Sequence, residues 1–501
     1  MSGRTQTPDR PGRGGVFSLP HVWCFTTYFA EGFPFTVFRT VSSVFFRDMK
    51  VSLEAIGLTS LYGLPWTLKF LWAPQVDEYS TRRSWMLCVQ SLIAVVILAA
   101  GLAAGESGVP LVAVLFFAGA ILAATHDVAI DGYYLAALDK EGQTRFLGWR
   151  VTAYRIAMMT GTGVVVTVGT TVSWKAAFLL AGGVFSLLAL YHWFLLPRAE
   201  APGKPARELA TGVLRPRLLA IAAAVAVAVW GLKAALDSPQ LAALKAGSPL
   251  WKQVNFPNVV SVLLLVTLTG LGLARQRLQA LLTARHESFY ARAFVGFMGQ
   301  SRIGTVLAFI VFLRTGEFML SSMVSPFIVD LGIKAHYGWL SSAVGLPCSI
   351  AGALAGGWLL ARLGMRRLLW PFLLAQNLTN LAYMGLAWML ASHVATNTGA
   401  VQPQFIGYGN LATVAVVHGF DNFAGGLGTA VLTVYLMSIC SQEFKAAHFA
   451  IGSGLMSVSG VFAGIAGGYF AAWIGYWGMF GVSFLASVPG MVLAAYVPRN
   501  D

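Results

Sequence analysis

The chain has 501 residues, 57% of them hydrophobic and only 11% charged, with a mean hydropathy of +0.69. Soluble domains carry about 25% charged residues, so these proportions exclude a soluble globular protein and indicate an integral membrane protein. The net charge of +14 would point to nucleic acid in a soluble chain. In a membrane chain it reflects the excess of Lys and Arg in cytoplasmic loops, and no nucleic-acid partner is expected.

Residues 1–16 are polar and rich in Gly, Pro and Arg, and read as a disordered cytoplasmic tail. The first apolar run lacks a small-residue cleavage site and reads as a retained helix. A helix of about 20 apolar residues crosses the hydrocarbon core. Runs of that kind are expected at 19–46, 52–73, 84–104, 109–132, 147–172, 174–196, 217–236, 256–273, 304–329, 336–361, 367–390, 405–439, 446–473 and 475–497, about fourteen transmembrane helices in all. They group as an N-terminal six-helix bundle (17–200), a linker with a two-helix insert (201–303) and a C-terminal six-helix bundle (304–501). The insert carries almost no buried charge and is expected to be peripheral to the substrate path. With the N-terminus inside, one side receives most of the Lys and Arg. The other receives only Arg47, Lys50, Lys175, Lys233, Lys245, Lys252 and Lys334. This asymmetry places both termini in the cytoplasm.

Ionisable residues inside spans are costly and mark function or a partner. The first span holds Glu31 within AEGFP (30–34), where Gly and Pro can kink the helix. Arg39 lies two turns further on. The fourth span holds Asp127 and Asp131 four residues apart, hence on one face, and the fifth supplies Arg155 as a cation that can pair with them. The ninth holds Arg314 and Glu317 at i and i+3, which allows pairing. The twelfth holds His418 and Asp421 at the same spacing, followed by Gly425, Gly426 and Gly428, which permit close helix approach.

No constellation indicates an enzyme. Cys24, Cys88, Cys348 and Cys440 have no metal-ligand spacing, and no metal or cofactor is expected. The glycine-rich stretches lie inside apolar spans, so they are packing glycines and not phosphate loops. With no nucleotide-binding cassette, energy has to come from an ion gradient or from the substrate's own gradient.

The loop LKFLWAPQVDEYSTRRSW (68–85) has a counterpart in GGWLLARLGMRRLLW (356–370), at the corresponding place in the second half. The second loop resembles the major facilitator signature at Gly357, Leu359, Arg362, Gly364 and Arg366, with Ala361 where an acid is usual. The first keeps the acid, Asp77, without the glycines. The expected fold class is therefore an all-α polytopic membrane protein of major facilitator type. Together with AEGFP, THDVAIDGYYLAAL, AYRIAMMTG, LRTGEF, FDNFAGGLGT and FKAAHFAIGSGLMS, these segments resemble the AmpG-type permeases of that superfamily, the group that includes the acetyl-coenzyme A transporters. His126 stands where members often have Gln, and Glu31 where a small polar residue is common.

The resemblance implies proton-driven uptake of anhydro-muropeptides across a cell inner membrane, by a symport mechanism of alternating access. It carries the acids of span 4 onto Asp127 and Asp131, the arginine of span 5 onto Arg155, and the pair of span 9 onto Arg314 and Glu317. Asp127, Asp131 and Arg155 are expected to form an inner gate. Glu317 with Arg314 is expected to couple to protons, with Glu31 second and Asp421 on the substrate path. Glu31 and Glu317 are expected to be related by the repeat. The partners are then a small-molecule substrate, protons and the lipid bilayer, with the chain acting as a monomer. An alternative is a carrier of an acyl-coenzyme A or another anionic metabolite; an alternative of another class is a non-transporting membrane sensor.

Overall fold

The apolar runs form long helices joined by short turns. The computed structural model describes residues 19–69, 72–200, 216–247, 289–300, 302–395, 404–441 and 445–497, with a few isolated positions between 203 and 270. The N-terminal half comprises α1 (20–48), α2 (53–68), α3 (Arg82–Ala103), α4 (Val109–Ala137), α5 (140–171) and α6 (Trp174–Leu195). Helix α7 (Pro216–Leu236) follows. The C-terminal half comprises α8 (Ile303–Asp330), α9 (Lys334–Leu363), α10 (Met365–Met389) and α11 (Tyr408–Ser438). It closes with a helical run divided at Gly475 into α12 (445–474) and α13 (476–493). Among the described residues there is no strand, only an isolated bridge between Tyr79 and Lys204. The tail 1–16 and most of the expected span 256–273 lie outside the described residues.

Local chemistry sets the ends. Ser52, Thr81, Asp139 and Ser173 each accept a hydrogen bond from the backbone N–H three residues on, capping α2, α3, α5 and α6. Gly475 has φ 71°, a left-handed conformation that side chains disfavour, and it ends α12. Three boundaries differ from expectation. The regular part of α2 stops at Leu68, and a separate short helix, Ala73–Glu78, begins with Pro74 in its first turn, where the missing N–H costs nothing. Helix α4 continues past 132 to Ala137, and α5 begins at Lys140, outside the apolar window, where Asp139 caps its first turn. Arg145 is therefore a helical residue and not a loop charge.

Within the first half, α1 packs on α5, and α3 packs on both α4 and α6; within the second, α8 packs on the α12–α13 run and α9 on α11. Between halves, α2 packs on α12 and α5 on α9, with the far end of α1 against α8. The second helix of each half thus meets the fifth helix of the other. This is the arrangement made by two parallel six-helix repeats about an axis along the membrane normal. Glycines line both crossings. A Cβ on Gly57 would press on the backbone of Gly464 and Ile465, and one on Gly338 on Gly163 and Thr167. Large apolar side chains such as Trp193, Trp388 and Trp473 are exposed around the outside, as a lipid-facing surface requires.

The α9–α11 contact is the tightest of these in one respect. A Cβ on Gly352 would fall inside the van der Waals radius of the Phe423 carbonyl oxygen, and one on Gly426 inside that of Ser349. Substituting either by Val overpacks a backbone-to-backbone contact, a change that typically costs about 1–3 kcal/mol. Gly426→Val is expected to lower the midpoint of thermal unfolding in detergent, followed by size-exclusion of the heated protein, whereas Gly357→Val, whose Cβ meets nothing within 4 Å, is expected to leave it unchanged.

Candidate functional site

A cavity of about 490 Å³ lies between the halves. Three helices that border it each contain a π-helical turn: Val37–Val41 in α1, Gly161–Val165 in α5 and Leu340–Gly345 in α9. Such turns widen a helix locally and re-aim its side chains, often at functional sites. They bring Arg39 and Thr40, Thr162 and Ser341 to the cavity wall. The wall is rich in hydroxyls, including Ser43, Ser60, Ser322, Ser325 and Ser457, interleaved with Phe35, Phe318, Met158 and Met456. Arg314, His418, Asp421 and Asn422 complete the side made by the second half. Among the described residues, none of α7 lines it.

The expected charged residues fall into two groups. In the second half, Arg314 donates to Glu317 through Nε at 2.6 Å and also through Nη2, and Gln376 Nε2 donates to the same carboxylate. Arg314 also lies over the Phe318 ring, 5.3 Å from its centroid. The pairing expected from the i, i+3 spacing is therefore present, at a break in α8 where Arg314 is the residue before the helix resumes. His418 shares a hydrogen bond of 2.8 Å with Tyr383 OH, as a packed and hydrogen-bonded histidine does.

In the first half, Asp127 and Asp131 share a face of α4 as expected, but Arg155 is not their partner. Asp127 pairs with Lys69 at the end of α2. Asp131 pairs with Arg150 at 2.9 Å and accepts a hydrogen bond of 2.8 Å from Tyr28 OH. Arg150 in turn covers the Tyr28 ring, 4.5 Å from its centroid. Arg155 lies against Met158 instead, Nη1 to Sδ 3.9 Å. One and a half turns separate Arg150 from Arg155, so the two point to different sides of α5. Glu31 joins this cluster and not the cavity wall. Its carboxyl faces those of Asp127 and Asp131, and its Oε2 is buried without a hydrogen-bond partner.

Away from that cluster, the end of the bundle where α1 and α8 both finish is closed by polar contacts that run between the halves. Arg47 donates to Asp330 through Nε at 2.7 Å and Nη2 at 2.5 Å, and Tyr476 OH donates to the same carboxylate at 2.6 Å. Lys334 Nζ donates to Asp48 at 2.5 Å, and Trp174 Nε1 donates to it at 2.8 Å. One layer deeper, the Ser43 and Ser325 hydroxyls are 2.7 Å apart. Among the described residues, both ion pairs that join the halves are at this end. In the sequence, Arg47 and Lys334 fall among the charges outside the spans, and Asp48 and Asp330 are not singled out. A signal was present: Ser43-Val-Phe-Phe-Arg-Asp48 and Ser325-Pro-Phe-Ile-Val-Asp330 are one S-x-F-x-x-D motif repeated. That register also corrects the expected kinship of the two glutamates. Glu31 lies twelve residues before Ser43 and Glu317 eight before Ser325, so Glu317 is one helical turn nearer the closed end.

The model of the Major Facilitator Superfamily matches residues 24–416 of this chain. The chain belongs to the major facilitator superfamily. It is 24% identical over 472 residues to the anhydromuropeptide permease of Escherichia coli (strain K12), covering 93% of this chain and 77% of that one. Among solved structures, a peptide transporter POT in complex with sulfate superposes with a TM-score of 0.65 at 12% identity, covering 97% of this chain and 96% of that one. The nucleoside transporter NupG superposes with a TM-score of 0.55 at 13% identity, covering 95% and 98%. At those identities the likeness is one of fold. As a member of this superfamily the chain is a multi-span membrane transporter and not an enzyme, and its all-α major facilitator fold is the one expected from the repeated loops and buried charges.

Proposed function

We propose that this transporter is a proton-coupled importer of anhydro-muropeptides or related cell-wall sugar-peptides, working by alternating access in a cell inner membrane as a monomer with cytoplasmic termini. The observation that carries the reading is the hydroxyl-rich cavity between the halves, closed at one end by inter-half ion pairs. Hydroxyls interleaved with aromatic and thioether surfaces suit a ligand that is polar, neutral over much of its length and large, as a sugar-peptide is. The similarity to the Escherichia coli permease supports the same class of substrate. The positive-inside distribution of Lys and Arg supports a closed end that faces outward and a cavity that opens toward the cytoplasm.

Asp127 with Lys69, and Asp131 with Arg150, then serve as the inner polar cluster, in which Arg150 takes the part expected of Arg155. Glu31, Glu317 and Asp421 are the carboxyls available for coupling and substrate contact. The acyl-coenzyme A alternative is less well supported. Its phosphates call for several free cations, whereas Arg314 is committed to Glu317 and Arg39 is the cavity-lining Arg or Lys outside the ion pairs of the described residues.

The test is uptake of labelled anhydro-muropeptide into proteoliposomes with an imposed proton gradient. Accumulation that follows the gradient and collapses with a protonophore is the expected result. Uptake that merely equilibrates, whatever the gradient, removes the coupling; no uptake removes the substrate.

A further inference from the structure

Two charged side chains line the cavity from opposite halves, and neither belongs to an ion pair among the described residues: Arg39 on α1 and Asp421 on α11. We infer that they form a subsite for a zwitterionic group of the substrate, its carboxylate held by Arg39 and its ammonium by Asp421. The inference rests on the transport reading above and specifies the chemistry of the ligand at that same cavity.

Arg39 is placed for this work by two local features. It sits in the π-helical turn of α1, which directs it to the cavity. Its guanidinium lies across Gly63 of α2, where a Cβ would collide with it, and over the Phe35 ring at 5.6 Å from the centroid. Among the described residues it belongs to no ion pair, and a guanidinium presents a planar fork of donors that can take a carboxylate by two parallel hydrogen bonds.

Asp421 is in the complementary position. Thr379, Glu317 and Arg314 all face it, and Arg314, the cation among them, is already bound through two nitrogens to Glu317. The wall made by the second half therefore carries one carboxylate in excess, and the wall made by the first half one guanidinium in excess. A ligand of a single charge answers only one of them and leaves the other without a partner. A ligand with both charges answers both. Because its two ends are held by different halves, such a ligand favours the conformation in which the halves draw together over it, which is the closing step that alternating access needs.

The experiment measures binding and not transport. Full-length protein in nanodiscs is titrated, by change in tryptophan fluorescence, with an anhydro-muropeptide whose peptide bears a free amine and free carboxylate, with its N-acetylated form, and with its carboxamide form. Tri-alanine and its two blocked forms are titrated in parallel. Blocking either end is expected to weaken binding to the unaltered protein by about 10- to 100-fold, the loss that goes with a hydrogen bond between charged groups. In Arg39→Gln the amide should bind as well as the free acid, and in Asp421→Asn the acetylated form as well as the free amine. If blocking either end of every bound ligand leaves affinity for the unaltered protein unchanged, the subsite is overturned even where a variant fails to fold. If anhydro-muropeptides fail to bind while tri-alanine binds and shows the expected losses, the substrate reading falls and the subsite stands.

Discussion

Replacing Asp330 by Asn is expected to move the transporter toward the conformation that opens at its closed end. Asp330 accepts from Arg47 on the other half and from Tyr476, and both members of the ion pair are about nine-tenths buried, with side-chain exposures of 10% and 8%. Removing one partner of such a pair leaves a buried charge uncompensated and costs about 3–5 kcal/mol. That cost falls on the closed state alone, since opening exposes Arg47 to water. An equilibrium displaced by even about 3 kcal/mol shifts by roughly 100-fold. Ser325→Cys, one layer beneath the seal, reports the change. Its reaction with a membrane-impermeant maleimide added from outside should accelerate strongly when Asp330→Asn is added, and net uptake should fall. A labelling rate that does not change means that the pair does not hold this end shut. Lys334→Met should act in the same direction but less, because Lys334 is 40% exposed and water screens much of its attraction to Asp48.

Replacing Glu31 by Gln is expected to uncouple transport. The inner cluster sets three carboxyls, Glu31, Asp127 and Asp131, against two cations, Lys69 and Arg150. The carboxyls thus outnumber the cations by one, and Glu31 is the carboxyl with no cation of its own and with a buried oxygen lacking a partner. Glu317, by contrast, is held by Arg314 and Gln376 together. These arrangements favour Glu31 as the group that alternates between protonated and ionised states when access switches. A step of one pH unit sustains about ten-fold accumulation in a one-proton symporter. Glu31→Gln vesicles should show none, yet should exchange labelled for unlabelled substrate between equally loaded sides. Glu317→Gln should instead weaken both, because it strands Arg314 at the cavity wall. Should Glu31→Gln vesicles still respond to the pH step, the coupling role returns to Glu317.

Composition and the spacing of apolar runs by themselves determined the class of protein. A chain with so few charges and so many runs of membrane length has no other way to satisfy its backbone than as spanning helices. The boundaries of α6 and α10 follow the hydropathy pattern within a few residues, since in lipid the apolar length and the helix length are nearly the same quantity. The pairing of Arg314 with Glu317 was also legible, because i, i+3 neighbours on one helix meet whatever surrounds them. Partners on different helices were not. That Asp131 would meet Arg150 and not Arg155 depends on the rotation of α5 about its axis, and that Asp127 would meet Lys69 depends on where α2 ends beside α4. Packing decides both, and sequence distance says nothing of either. The seal of Arg47, Asp48, Asp330 and Lys334 was hidden for a related reason. Near the end of a span, a charge that pairs across halves and a charge that merely reaches water look alike in a sequence. Only the juxtaposition of the two S-x-F-x-x-D motifs across the pseudo-symmetry axis, where Ser43 meets Ser325, distinguishes them.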